Sequence, residues 1–192
     1  MINKKGKFII VREQGVGDEI LYSSMYQDLL NDIDNTVIEC DPRLLNFYKR
    51  SFPKYRTKFV SLGTITNDDE EFKKIDYIIY AGSLGRYYRK NIKDFKNNSF
   101  LKVDEKKLEE MKRKLSIYKK KYKIGLSWKS FSDKFATDKS LNLKDLKKIF
   151  SLTNCDIFNL QYGDVGDEIN SFNNTTKNKI ISIEGLDLIN DF

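Results

Sequence analysis

Residues 7–21 read KFIIVREQGVGDEIL: an apolar run typical of a strand, a loop with two glycines, and the start of an amphipathic helix that reaches Leu30. This spacing predicts a strand, a glycine turn and a helix in succession. The alternation repeats downstream, with further strands predicted at residues 36–40, 58–62, 77–81, 122–128, 155–161 and 179–183. Strands that alternate with helices predict an α/β fold built on parallel sheets.

One of the predicted helices differs from the others because it is long and rich in lysine. It covers residues 104–121, and Asp104 stands at the position of its cap. The stretch Gly82–Gly85 is predicted as a loop. The other helices are predicted at residues 43–51, 143–152 and 164–172.

The strand pattern restarts after the lysine-rich helix, which indicates two units of similar design. We predict an N-terminal Rossmann-like domain over residues 1–101, a lysine-rich connector helix over 102–121 and a C-terminal Rossmann-like domain over 122–192. The last domain has three predicted strands, about half of a doubly wound sheet. We therefore expect it to be incomplete, with an open sheet edge through which the chain self-associates.

Composition excludes several kinds of chemistry. The chain contains no histidine, which removes Ser-His-Asp and Cys-His catalysis and histidine-based zinc sites. Cys40 and Cys155 lie far apart in apolar runs and are expected to be buried free thiols. Because no apolar stretch approaches eighteen residues and no secretory signal is present, we expect no transmembrane segment and a cytoplasmic location.

The net charge of +7 is concentrated in one segment. Residues 102–123 hold ten Lys/Arg and four Asp/Glu, whereas the other 170 residues hold 25 basic and 24 acidic side chains. Binding of nucleic acid through this segment is one hypothesis. It is disfavoured because the segment has only Tyr118 and Tyr122 as aromatics and an apolar face to bury. We expect no nucleic-acid partner.

The loop after the first strand carries the first candidate site. Gly15 and Gly17 would let the backbone turn tightly and let a ligand approach the start of the helix. Asp18 follows, at the sheet edge where such folds bind ligands, and its carboxylate could accept a proton from a hydroxyl group. Alternatively, Asp18 only caps the helix.

Three more predicted strands end in polar residues. Ser127 and Lys129 offer a hydroxyl and a cation suited to phosphate, although Trp128 and Lys129 could equally be core and solvated surface. Gln161 could hydrogen-bond a base or sugar, or belong to an ordinary loop. Arg86, with Arg89 nearby, follows the strand at 77–81. That all four signals fall at strand ends is a stronger observation than any one of them.

Read together, these motifs resemble bacterial glycosyltransferases of the heptosyltransferase type (family 9-like), and most closely their relatives that are often fused behind tetratricopeptide repeats. The resemblance covers almost the whole chain, in the same order as in the family. The residues that carry it are Glu13–Leu21, Glu39–Leu44, Gly82–Leu84 before Arg86, Gly125–Trp128, Ser140–Leu141, Leu160–Asp164 and Asp187–Phe192.

The resemblance implies a GT-B architecture of two Rossmann-like domains, the first binding a saccharide or other hydroxyl acceptor and the second a nucleotide-sugar donor. It implies transfer without metal or cofactor, with Asp18 as catalytic base. Ser127 and Lys129 would then lie near the donor phosphates, and Gln161 and Tyr162 near the nucleotide. The alternative function is a non-catalytic sugar- or nucleotide-binding module of the same fold.

The family pattern continues past the last residues of this chain into a donor-gripping loop. We therefore expect the chain to be a fragment or a shortened relative whose donor pocket lacks a wall. Such a pocket would leave Ser127, Lys129 and Gln161 exposed, and the chain alone would show little donor binding and no transfer.

Overall fold

The computed structural model describes residues 5–66, 70–131, 139–151 and 154–190. In this part of the chain the protein is a mixed α/β fold with two parallel sheets, which confirms the predicted fold class. It divides into two compact units, the first unit up to Lys107 and the second unit from Leu108 onwards.

Seven strands are described, and each corresponds to a predicted one. They are β1 (Phe8–Val11), β2 (Thr36–Cys40), β3 (Phe59–Ser61), β4 (Tyr77–Tyr80), β5 (Tyr122–Leu126), β6 (Cys155–Asn159) and β7 (Ile180–Ile181). The α-helices are α1 (Val16–Tyr22), α2 (Tyr26–Asp32), α3 (Leu45–Ser51), α4 (Glu70–Lys73), α5 (Gly85–Tyr88), α6 (Glu105–Leu115), α7 (Lys147–Phe150) and α8 (Gly166–Thr175).

The sheet of the first unit has the strand order β3-β2-β1-β4, with every neighbouring pair parallel. Phe8 of β1 pairs with Thr36 on one side and with Tyr77 on the other. This is the order of the first half of a doubly wound fold. The carboxyl ends of β1, β2 and β4 therefore meet at one edge, where the loop after β1 begins.

The sheet of the second unit has the order β5-β6-β7 and is also parallel. Gly125 pairs with Phe158 near the carboxyl ends of β5 and β6. A Cβ on Gly125 would lie 2.2 Å from Cδ1 of Leu160, which follows β6, so the Leu160 side chain would have to move to accommodate it. Within the described residues, β5 and β7 are the edges of this sheet.

Each unit has its own hydrophobic core. In the first unit Tyr26, Tyr48, Phe52 and Phe59 form an aromatic cluster with ring centroids 5.4–6.4 Å apart. Cys40 lies in this core, and Cys155 is buried in the second unit; both are free thiols, as expected. The second core is smaller and consists of Leu126, Trp128, Leu143, Phe150, Ile157, Val165, Ile169, Phe172 and Ile180.

Three local predictions were wrong. The helix expected to run without interruption to Leu30 is divided into α1 and α2 by a 3₁₀ turn (Ser23–Met25). The lysine-rich helix, α6, ends at Leu115 rather than at residue 121, and none of its residues is buried. Its Asp104 cap is confirmed, because the Asp104 carboxylate accepts hydrogen bonds from the backbone N–H groups of Lys106 and Lys107. The predicted loop at Gly82–Gly85 is a 3₁₀ turn (Ala81–Leu84) that leads directly into α5.

No helix in the described ranges is both long and apolar enough to cross a membrane. Two predicted features reach beyond the described residues: the end of the helix at 143–152, and the last two residues of the motif Asp187–Phe192.

Candidate functional site

The turn after β1 is made by Gln14 and not by the glycines, contrary to expectation. Gln14 has φ +62°, the left-handed region that non-glycine residues seldom adopt, and its carbonyl accepts a hydrogen bond from Arg12 Nη2 over 3.0 Å. Gly15 has φ −86° and is the N-cap of α1. Backbone turning therefore does not explain why residue 15 is glycine.

Space inside the protein does not explain the two glycines either. A Cβ on Gly17 would have no neighbour within 4 Å among the described residues, and one on Gly15 would meet only Asp18 Oδ2, at 3.8 Å. Both glycines leave open surface at the start of α1. An external group could approach the backbone there more closely than a side chain would allow.

Asp18 lies in the first turn of α1, three residues after the N-cap. Its Oδ2 accepts a hydrogen bond from the Gly15 N–H over a long 3.4 Å. Asp18 therefore contributes to capping, but not as the N-cap residue: its side chain accepts a hydrogen bond from the backbone of the N-cap residue, Gly15. Because the side chain is only half-buried and the bond is long, the carboxylate can also contact solvent or a ligand.

The sequence prediction missed Glu19, which is 0% exposed at the same sheet edge. Its carboxylate lies 2.8 Å from Arg12 Nε and accepts a hydrogen bond from the backbone N–H of Asp41. Burial raises the pKa of Glu19, an effect that the Asp41 N–H and Arg12 oppose. Glu19 thereby joins the loop after β1 to the end of β2.

Asp41 continues this network at the end of β2. It caps the short helical turn Pro42–Leu44, and Arg43 binds its two carboxylate oxygens through Nε and Nη2 at 2.8 and 2.9 Å. These hydrogen bonds lower the pKa of Asp41 to about 2. The pair with Arg43 is local, whereas the contact of Asp41 with Arg12 Nη1, at 3.5 Å, depends on the fold.

The two arginines near the end of β4 have separate environments. Arg86 lies on α5 with an exposed side chain. The preceding turn is tied to the loop after β1, because the Gly82 N–H donates to Glu13 Oε2 over 3.3 Å. Arg89, by contrast, is buried and bound to Asp28 at 2.8 Å, so it belongs to a different part of the first unit.

Gln161 links the carboxyl ends of β5 and β6 in the second unit. Its Oε1 accepts hydrogen bonds from Ser127 Oγ and from the backbone N–H groups of Trp128 and Lys129, at 3.1, 2.8 and 2.7 Å. Its Nε2 donates to the carbonyls of Lys129 and Tyr162. The expectation that Gln161 is exposed was wrong, since it is 1% exposed and joins β5 to β6.

Ser127 and Lys129 lie beside this amide. Ser127 is exposed, as expected, while Lys129 is half-buried and its Nζ lies 2.6 Å from Glu168 Oε2 in the first turn of α8. Trp128 belongs to the core, which confirms the structural alternative for that residue. Lys129 is thus an ion-paired cation rather than a freely solvated one.

Tyr162 follows Gln161 and packs against Phe131, with ring centroids 5.3 Å apart. Its hydroxyl accepts a hydrogen bond from the Phe131 N–H over 3.4 Å. Gly163 is glycine for a steric reason, because φ is +87° and a Cβ would lie 2.7 Å from the Phe131 ring. The Tyr162 side chain remains partly exposed.

The predicted residues therefore fall into two groups. In the first unit, Gly15, Gly17 and Asp18 lie on a helix that packs against the turn preceding Arg86. In the second unit, Ser127, Lys129 and Tyr162 surround Gln161. The first group can accept a proton through Asp18. In the second group the Ser127 hydroxyl donates to Gln161 and Lys129 pairs with Glu168, so an anion can bind these two side chains only by displacing those partners.

Comparison with known proteins gives a distant match. Protein FlbA of Caulobacter vibrioides (strain ATCC 19089 / CIP 103742 / CB 15) is 28% identical over 196 aligned residues, which cover 95% of this chain and 33% of FlbA. The chain thus spans about one third of the length of that curated relative. No family model matches the chain. No solved structure matches it either.

Proposed function

We propose that this chain carries the acceptor and donor sites of a glycosyltransferase that moves a sugar from a nucleotide-sugar to a hydroxyl acceptor. In this proposal Asp18 is the catalytic base, and the arrangement of the two units is of the GT-B type. The sequence resemblance and the parallel sheets support it. The observation that carries it is the pair of glycines at positions 15 and 17, whose open surface nothing in the described chain explains.

On the acceptor side, Asp18 would take the proton of the attacking hydroxyl. Because Gly15 and Gly17 leave the start of α1 open, an acceptor molecule can approach the helix backbone closely there. Its hydroxyl group can then contact the half-buried carboxylate of Asp18. Arg86 is free to orient a polar group of the acceptor, because its side chain is exposed on α5.

On the donor side, Ser127 and Lys129 would contact the phosphates, whose charge grows as the sugar leaves. Gln161 would act on the donor through these residues and not through its own amide, which is already bonded within the chain. Tyr162 would lie against the nucleotide.

The second candidate function is a non-catalytic nucleotide- or sugar-binding module. The observation that favours it is the ion pair between Lys129 and Glu168. The Glu168 carboxylate already binds the ammonium group that a donor phosphate would need. In a transferase, donor phosphate displaces Glu168 from Lys129. In a module without a donor site, the pair persists.

A titration tests the donor side. UDP-, ADP- and GDP-linked sugars are added without metal to the isotope-labelled chain, and backbone resonances are followed. We expect shifts at Ser127–Ser130 and Gln161–Asp164, and a smaller response in Lys129→Met. Shifts confined to the lysine-rich residues 102–123, or lost steeply with salt, would indicate non-specific anion binding instead.

Substitution of Asp18 separates transferase from binding module. Asp18→Asn keeps the shape of the side chain but removes the base, so sugar transfer by the natural polypeptide that carries this sequence should fall by roughly 100- to 10,000-fold. Donor binding and the melting temperature should stay close to wild type. If Asp18→Asn remained active while Asp18→Ala mainly lowered the melting temperature, Asp18 would be a helix-capping residue only.

A further inference from the structure

A cavity of about 180 Å³ lies in the first unit and shares no residue with the strand-end groups. Its volume equals about six water molecules at roughly 30 Å³ each, enough for a small organic ligand. It is lined by residues at the start of α2 and by the segment that follows α5: Ser24, Gln27, Arg89, Phe95, Lys96, Asn98 and Phe100.

Arg89 is the unusual residue of this cavity. Its side chain is only 7% exposed. Nη1 donates both of its N–H groups, to Asp28 and to the Tyr88 carbonyl, and Nη2 donates to the Ser24 carbonyl. Its Nε–H has no acceptor anywhere in the described ranges. A buried donor on a charged group is costly to leave unpaired, so this nitrogen calls for an acceptor from outside the chain.

The charges around the cavity favour an anionic acceptor. Arg89 and Lys96 both pair with the single carboxylate of Asp28, which leaves one positive charge in excess. Burial alone would raise the pKa of Asp28, but the hydrogen bonds from Lys96 and Arg89 outweigh it and lower that pKa, so Asp28 stays ionised at neutral pH. A ligand with one negative charge would balance the site.

Aromatic rings define the rest of the ligand. Phe95 is 58% exposed, and its ring centroid lies 5.7 Å from the Arg89 guanidinium carbon. Phe100 packs against Phe52 of the core, with ring centroids 5.9 Å apart. These rings favour a flat apolar body, and an inorganic anion such as phosphate would leave them without a partner.

We propose that this cavity binds a small monocarboxylate with a flat apolar body. A carboxylate oxygen accepts the hydrogen bond of Arg89 Nε, Lys96 provides the second positive charge, and the body lies against Phe95 and Phe100. Asn98 and Gln27 also line the cavity, and the Gln27 Nε2 already donates to Asn31 Oδ1. The site is independent of the sugar-transfer proposal because it uses none of its residues.

Benzoate is the probe, and the Nε–H resonance of Arg89 is the readout. On adding benzoate to the labelled chain, we expect this proton to shift downfield with a dissociation constant of about 1 mM or lower, a realistic affinity for nine heavy atoms. Benzamide, which has the same shape without the charge, should bind roughly tenfold more weakly, and inorganic phosphate should leave the resonance in place.

Two variants and a control complete the test. Phe95→Leu removes an exposed ring and should weaken benzoate binding roughly tenfold, whereas Ile92→Ala, an 84% exposed neighbour outside the cavity, should leave it unchanged. The proposal fails if benzoate does not move the Arg89 resonance at about 10 mM. It fails equally if benzamide or phosphate moves it as much, or if a neutral sugar such as methyl glucoside does so.

Discussion

The two carboxylate oxygens of Glu19 lie 3.1 and 3.2 Å from the backbone nitrogen of Asp41, so the first helix and the end of the second strand share one buried hydrogen bond. Glu19 is also the partner of Arg12, at the end of the first strand. This carboxylate therefore fixes the sheet edge from which Asp18 projects one residue earlier.

Glu19→Ala should destabilise the first unit by about 2–4 kcal/mol. The substitution leaves the buried Asp41 N–H unpaired and removes the nearer partner of Arg12, and both effects are costly inside a protein. Urea denaturation measures it. Asp18→Ala is the matched control, since it removes the neighbouring carboxylate at a half-buried position and should cost no more than about 1 kcal/mol. Equal losses for the two variants would show that the buried Glu19 network stabilises the unit no more than the half-buried Asp18 carboxylate does.

Asp41→Asn should cost about 1–2 kcal/mol at neutral pH, and the loss should disappear in acid. The pKa of Asp41 is lowered from 3.8 to about 2 in the folded protein. A depressed pKa stabilises the fold above the unfolded value and loses that effect as pH falls through the folded value. The difference between wild type and Asp41→Asn should therefore shrink between pH 3.8 and about 2. A pH-independent difference would rule out the charge as its cause.

Glu19→Gln should show the opposite trend with pH, which makes it an internal control. Burial raises the pKa of Glu19 above 4.5, so the folded state favours the protonated form. The resulting stabilisation is fully present below pH 4.5 and is lost as pH rises through the folded pKa. The stability of wild type relative to Glu19→Gln should thus fall with rising pH, and chemical denaturation across that range measures it.

The strands could be predicted from sequence because their signals are local. The apolar runs at β1, β2 and β6 are short, bounded by turn residues and buried, and their alternation with helices fixes a parallel arrangement. The ends of elements were harder to predict. α6 stops at Leu115 although its charged pattern continues, because the chain turns there towards β5: the Ser116 N–H donates to the Arg113 carbonyl and the Lys120 N–H to the Asp156 carboxylate.

The candidate site could be predicted only in part, for a physical reason. Ser127 and Lys129 come directly after β5, and Asp18 lies in the helix that follows the loop after β1, so topology alone brings each of them to the carboxyl edge of the sheet in its own unit. Glu19 accepts from Asp41, 22 residues away, and Gln161 from Lys129, 32 residues away, and such pairs have no local signature. An acidic residue in a first turn usually faces solvent, and only the fold shows that Glu19 is buried.

Gln161→Leu should destabilise the second unit by about 2–4 kcal/mol. Leucine fills a similar volume, yet it leaves the buried N–H groups of Trp128 and Lys129 without their acceptor. Hydrogen exchange at these two amides should accelerate together with the loss of stability. Tyr162→Phe is the control: it removes only a 3.4 Å hydrogen bond and should stay within about 0.5 kcal/mol of wild type. Unchanged protection in Gln161→Leu would show that the amide is not what joins β5 to β6.

Gly17→Ala should leave the fold intact or stabilise it by up to about 1 kcal/mol, because alanine suits a helix better than glycine and its Cβ meets nothing within 4 Å in the described structure. If the open surface at Gly17 receives an acceptor, the same methyl group should lower sugar transfer by roughly tenfold or more, since small misplacements are costly in catalysis.

Gly166→Ala is the matched control at the first residue of α8, where a Cβ would meet only Asp164, at 4.0 Å, and no ligand is proposed. It should gain similar stability and keep full activity. A Gly17→Ala protein that is both more stable and fully active would remove the observation on which the acceptor site rests.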